Sequence, residues 1–88
     1  MIILAEKTFL KDTDKVKDKS LLIKLKNTIS YLNEINDQSE ISNLKKLSGA
    51  NNYYRIRIGN YRIGLSIDKN KVNLIRFLHR KEIYRYFP

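Results

Sequence analysis

Residues 53–67 read YYRIRIGNYRIGLSI, and the period of that stretch is two. Tyr54, Ile56 and Ile58 alternate with Tyr53, Arg55 and Arg57. Gly59-Asn60 then supplies a turn, because both residues tolerate positive φ. Beyond it Tyr61, Ile63, Leu65 and Ile67 alternate with Arg62, Gly64 and Ser66. Successive strand side chains point to opposite faces, so this is a β-hairpin with one apolar face and one arginine-bearing face. A second turn at Asp68-Lys69-Asn70-Lys71 leads into residues 72–78. There both faces are apolar, as expected of a central or doubly covered strand.

Upstream of the hairpin the period changes to that of a helix. Leu21, Leu22, Leu25, Ile29, Leu32 and Ile35 recur at spacings of three and four, which predicts an amphipathic helix capped by Asp18 or Ser20 and running to about Asn36. A weaker pattern (Phe9, Leu10, Val16) predicts a first helix over residues 7–16, pairing with the second as an antiparallel hairpin. Residues 1–5 suit a strand. Residues 37–52 read as loop, with Ile41, Leu44 and Leu47 as anchors onto the core. Residues 80–87 suit one or two helical turns. The expected fold is α+β in the order βααβββ. A helical hairpin packs on one face of a small, curved, mainly antiparallel sheet, followed by a short helical tail.

The chain has 88 residues, enough for a single domain over 1–88. It has no cysteine, which excludes disulfides and thiolate chemistry. No apolar run approaches a membrane span, and the start has no basic segment of the signal-peptide kind, so a cytoplasmic location is expected. The net charge is +9, and its placement is uneven. Residues 1–44 balance 7 Lys against 7 acids, whereas residues 45–88 carry 5 Lys and all 6 Arg against Asp68 and Glu82. An arginine-rich half beside a neutral half points to a polyanion surface, with nucleic acid first in line.

The two-residue period sharpens that inference. If Ile56, Ile58, Ile63 and Leu65 face the helices, Arg55, Arg57 and Arg62 must share the other face. Side chains on adjacent strands lie ~5 Å apart when opposite and ~7–8 Å on the diagonal. Three guanidinium groups so close repel unless an anion lies among them, and the planar guanidinium fork suits a phosphate. The plainer alternative, a solvated face whose arginines pair with helix acids, competes with it. His79-Arg80 ends the last strand, and Tyr84 comes about one helical turn later. A tail that folds back would bring all three to the edge of the patch. One His and two acids in this half suggest no site for a divalent metal, and Gly59 to Gly64 is a hairpin rather than a phosphate-cradling loop, so no cofactor is expected. Metal-free phosphodiester chemistry on RNA remains, with the substrate's 2′-OH as nucleophile.

These residues resemble a known family. Leu47-Ser48-Gly49, the run from Tyr54 to Ile63, residues 72–77, His79-Arg80 and Ile83-Tyr84 together resemble the RelE/ParE superfamily of bacterial toxins, the toxin halves of type II toxin–antitoxin systems. The specific part covers about residues 44–87. The resemblance implies a ribosome-dependent endoribonuclease that cuts mRNA in the decoding site and is silenced by a small, acidic, RelB-like antitoxin. Family catalytic positions correspond to Arg55 and Arg57 on the first hairpin strand, Arg62 in the Tyr-Arg pair, Arg80 after the last strand and Tyr84 near the end. RelE itself has Lys at the first two, so a mechanism with a Lys base there is in doubt for this chain, Arg being a poor proton carrier.

The resulting assignment makes Tyr84 the base for the 2′-OH, its phenolate favoured by neighbouring cations. Arg57 and Arg62 hold the scissile phosphate, and Arg80 sits at the leaving oxygen. His79 is the alternative acid, or the base if Tyr84 is misplaced. Arg55, Lys45, Lys46 and Arg85 would steer RNA or touch ribosomal RNA. The expected partners are the antitoxin, mRNA and the ribosome, with no membrane. The exposed antitoxin-binding surface is expected to include part of the helical hairpin and Tyr86-Phe87-Pro88. Two rivals share the fold and charge: a ParE-like, non-enzymatic inhibitor of DNA gyrase, and a toxin-like protein that binds but has lost activity.

Overall fold

In the computed structural model, which describes residues 1–47, 49 and 52–88, the stretch at 53–67 folds as two antiparallel strands, β3 (Tyr53–Ile58) and β4 (Tyr61–Asp68). Gly59 turns the chain between them with φ +56°, a conformation that costs glycine little. The remaining strands are β1 (Ile2–Ala5), β2 (Leu44–Lys46) and β5 (Lys71–His79). All five form one sheet in the order β1-β5-β4-β3-β2. Among the described residues only the β1–β5 pairing is parallel. Two helices, α1 (Lys7–Asp14) and α2 (Lys19–Glu34), connect β1 to the rest, and a third, α3 (Arg80–Tyr86), comes after β5.

One face of the sheet meets α1 and α2. Phe9, Leu21, Leu25 and Leu32 from the helices pack with Ile56, Ile63, Leu65, Val72, Leu74 and Phe77 from the strands. Asp18 caps α2, accepting from the Ser20 and Leu21 amides. That helix stops at Glu34, short of the expected Asn36. Ile35 leaves the helix in an extended conformation, and the ammonium of Met1 takes the Leu32, Asn33 and Ile35 carbonyls. The anchors Ile41 and Leu44 do pack on the core.

The loop expected over residues 37–52 is corrected by two elements. Gln38–Glu40 forms a 3-10 turn closed by a capping box between Asp37 and Glu40. Leu44–Lys46 is an edge strand paired to β3. Three residues give no readable period, so pairing with an existing edge, rather than pattern, makes that strand. Ser48, Ala50 and Asn51, in the same expected loop, lie outside the described residues.

A bulge in β5 sets which face its last residues take. Gly64 pairs with Arg76 and Leu65 with Leu74, so Ile75 has no partner in β4. One unpaired residue reverses the alternation beyond it. Val72 and Leu74 enter the helix-side core before the bulge and Phe77 after it. The apolar character of both faces of residues 72–78 thus has two causes: a doubly covered strand and a change of phase. Past the end of β1, the Phe77 amide donates to Asp12 of α1 at 3.0 Å, and Arg76 donates to the same carboxylate at 2.7 and 3.1 Å. Asp12, 5% exposed, therefore stands where a neighbouring strand would be and pins α1 to the sheet.

A cationic cleft as the candidate functional site

The β3–β4 register sets Arg57 directly opposite Arg62, and Arg55 opposite Gly64. Between these pairs, the Ile56–Ile63 pair is buried toward the helices. The three arginines thus share the sheet's other face. β2 adds Lys45, opposite Arg55. Asn43, Leu44, Lys45, Arg55, Arg57, Arg62 and Tyr84 line a cleft of about 390 Å³. No carboxylate is in that lining. Among the described residues the ion pair found is Arg76 with Asp12, so the arginines of the cleft are not neutralised by helix acids.

Each side chain is held differently. Arg57 is exposed. Arg62 folds back so that one terminal nitrogen donates to the carbonyls of Gly59 (3.0 Å) and Tyr61 (2.9 Å). Burial, then the like charge of Arg57 with Arg55 and Arg80 behind it, pushes the Arg62 guanidinium below its ordinary value. Arg55 is 9% exposed, and its Nε is buried without an acceptor. A buried donor left unmatched is costly, and a charged one more so.

Tyr84 reaches the cleft from α3. The Arg55 guanidinium lies 4.4 Å from the centre of its ring. The adjacent Arg55 guanidinium, with smaller contributions from the charges of Lys45 and Arg62, holds the phenol below its ordinary value. Tyr84 is 72% exposed, so its side chain is open to a ligand. Arg80, one turn before Tyr84, is exposed and outside the cleft lining; its amide donates to the Asn60 carbonyl of the hairpin turn, and its charge acts on Arg62.

The other candidates fall elsewhere. Strict alternation from Val72 would put His79 on the arginine face, but the bulge at Ile75 reverses it. His79 instead pairs with Tyr61 across the strands, its ring 5.6 Å from that of Tyr61, and Tyr61 packs on Phe77. It lines a second cleft, with Asp12, Lys15 and Glu82, and its Nδ1 accepts from the Lys81 amide to cap α3. Lys46 pairs with the buried Tyr54 and so lies on the helix side. Arg85 is exposed, and helical rotation turns it away from the sheet. Neither residue joins the cleft. Asn43 and Leu44 do, unforeseen from sequence because they belong to the unreadable β2 region. Phe87, expected on an exposed partner surface, is buried, while Tyr86 is half exposed.

The chain and its fold are similar to those of known proteins. The family model for the ParE toxin of the type II toxin–antitoxin system parDE matches residues 3–84. The chain is 40% identical over 89 residues to Toxin RelE3 of Methanocaldococcus jannaschii, with all of both chains covered. Its structure matches that in a RelB–RelE antitoxin–toxin complex from Methanococcus jannaschii with a TM-score of 0.83 and 40% identity, over 97% of this chain and 99% of that one. An archaeal RelE–RelB complex from Pyrococcus horikoshii OT3 matches at TM-score 0.72 over 90% and 93% of the chains, where 19% identity speaks to the fold alone. This chain belongs to the ParE toxin family of type II toxin–antitoxin systems, and the kinship reaches beyond the bacterial toxins its motifs resemble. Among the described residues no helix is long and apolar enough to cross a membrane.

Proposed function

We propose that this toxin is a ribosome-dependent endoribonuclease that cuts mRNA by 2′-OH transesterification and so stops translation. The observation that carries this reading is the unneutralised cleft of Arg55, Arg57, Arg62 and Lys45 with a phenol of lowered pKa above it. In the reaction Tyr84, as phenolate, takes the 2′-OH proton. The 2′-oxygen attacks phosphorus, the bond from phosphorus to the 5′-oxygen breaks, and a 2′,3′-cyclic phosphate remains. Arg57 and Arg62 bind the non-bridging oxygens, where charge grows in the transition state. Arg80 offsets charge on the leaving 5′-oxygen, which takes its proton from solvent. His79, in the other cleft, is left as the cap of α3 rather than an acid. Lys45 and Arg55 steer the RNA backbone.

A cognate antitoxin holds the toxin silent. Relatives of this chain occur in RelB–RelE complexes, and the +9 charge favours a small acidic partner laid over the basic half. The match to the ParE toxin model keeps one rival in view, a non-enzymatic inhibitor of DNA gyrase. Mapping of mRNA 5′ ends by primer extension, with the purified protein added to translating ribosomes or to naked RNA, separates the two. Cuts at fixed codon positions with ribosomes alone are expected. Absence of cuts in both reactions, with loss of supercoiling in a gyrase assay, would establish the rival.

A further inference from the structure

Ile83 is fully buried and Phe87 is 6% exposed, yet neither belongs to the main core between sheet and helices. Ile83, in α3, and Phe87, the extended residue that caps it and whose amide donates to the Ile83 carbonyl, together present one apolar face. That face lies on the arginine side of the sheet, where it makes a second, smaller apolar contact. At its centre the Phe87 ring rests on Gly64. A Cβ at position 64 would come within 2.7–2.8 Å of three ring carbons. Gly64 does not have a positive φ, so its backbone conformation is open to any residue. Glycine weakens a strand interior and often marks a close approach. Here the close approach is an aromatic ring, whose flank also meets the Tyr53 ring edge-on at 5.7 Å.

Gly64 is the cross-strand partner of Arg55. Phe87 covers one member of that pair and Tyr84 the other. Tyr84 lies about 100° around the helix from Ile83, so once Ile83 and Phe87 are seated, Tyr84 is directed toward Arg55. Tyr86 lies on the opposite flank, its ring 5.7 Å from the Arg76 guanidinium. The seat thus fixes both the depth of α3 and its rotation about its axis, and a tyrosine side chain 72% exposed has few contacts of its own to do so.

We propose that Phe87, seated on Gly64, is the positioning residue that holds Tyr84 over Arg55. Filling the seat at position 64 and emptying it at position 87 have the same effect: α3 loosens and Tyr84 leaves the guanidinium, while the main core stays intact. The consequence for catalysis rests on the reading of Tyr84 as base. The positioning itself does not.

The test reads Tyr84 directly, in the absence of RNA. In protein labelled with 13C at the tyrosine ζ carbon, the Tyr84 signal is assigned by Tyr84→Phe and tracked with pH. Wild-type Tyr84 titrates below the ordinary tyrosine value of about 10. In Phe87→Ala it moves to about that value, while the Tyr54 and Tyr61 signals, from the main core, stay in place. Gly64→Ala does the same without removing any buried group, and decides the matter if Phe87→Ala does not fold. Gly64→Ala/Phe87→Leu regains the wild-type titration, because the smaller side chain vacates the space the new methyl needs, a non-additivity expected only of groups in contact. A Tyr84 titration unchanged in a folded Phe87→Ala or Gly64→Ala protein overturns the proposal. On translating ribosomes the single-turnover rate of Phe87→Ala falls at least ~10-fold, short of the ~10²–10⁴ of a lost acid–base group because Tyr84 is displaced rather than removed, with half-saturation unchanged. If Tyr84 relaxes but cutting persists, the reading of Tyr84 as base fails and the seat stands.

Discussion

The guanidinium of Arg55 and the ring of Tyr84 are 4.4 Å apart, though 29 positions separate them in the chain. One comes from the hairpin and the other from the terminal helix, and their contact joins the arginine face of the sheet to α3. Arg55 is nearly buried and fixed, Tyr84 is exposed, and the pair sits in a cleft with no carboxylate in its lining. Such an arrangement favours the phenolate of Tyr84 at the mouth of the cationic cleft.

Replacing Tyr84 by Phe removes the proton acceptor and leaves the ring over Arg55. Cleavage on ribosomes is expected to fall by at least ~100-fold, the low end of acid–base contributions. Ribosome binding should change little, because the cations remain. Single-turnover cleavage together with a pelleting assay checks both halves, and near-normal cutting by this variant would sink the assignment.

Arg55→Met tests the source of the Tyr84 shift. Cations lower a phenol's pKa by favouring its charged form, and Arg55 is the largest such influence on Tyr84. A base must be deprotonated to act, so the rate rises with pH through the phenol pKa. Removing Arg55 raises that pKa and moves the rising limb to higher pH. The pH–rate profile measures the move, and a limb displaced toward acid would contradict the electrostatic account.

His79→Ala is expected to keep cleavage within about tenfold of wild type, against the ~10²–10⁴ that a lost general acid or base costs. What it removes is the cap on the Lys81 amide. His79→Asn restores a capping side chain and should return the small deficit, since Asn is among the preferred capping residues. Parallel cleavage assays of the two variants distinguish a cap from a catalyst.

Asp12→Asn weakens the bond to the Phe77 amide and the bidentate pairing with Arg76. Loss of hydrogen bonds to a buried charged group costs roughly 2–3 kcal/mol, less than a fully buried pair because Arg76 is 23% exposed. Urea unfolding should show this as a lower midpoint at unchanged slope. The cationic cleft does not include Asp12, so cleavage at a temperature where the variant is folded should hold.

Local pattern was enough to specify the hairpin and, through it, the arginine face. Alternation at residues 53–67 with a glycine turn leaves Arg55, Arg57 and Arg62 no other side once the isoleucines are buried, and helical spacing from Leu21 to Leu32 shows what buries them. The spacing of Arg80 and Tyr84 after the last strand placed both among the candidates, and the family likeness agreed. The remaining features needed the folded chain, because each depends on pairing between distant segments. β2 has three residues and exists only because β3 offers an edge. The side taken by His79 depends on whether β5 keeps its phase past Ile75, and a one-residue slip that reverses every later side chain leaves no mark in the local pattern. Gly64 looks like a weak point in a strand until Phe87, 23 residues on, is laid over it. Periodicity reports which way a side chain points from its own element; only the packed chain fixes what it meets there.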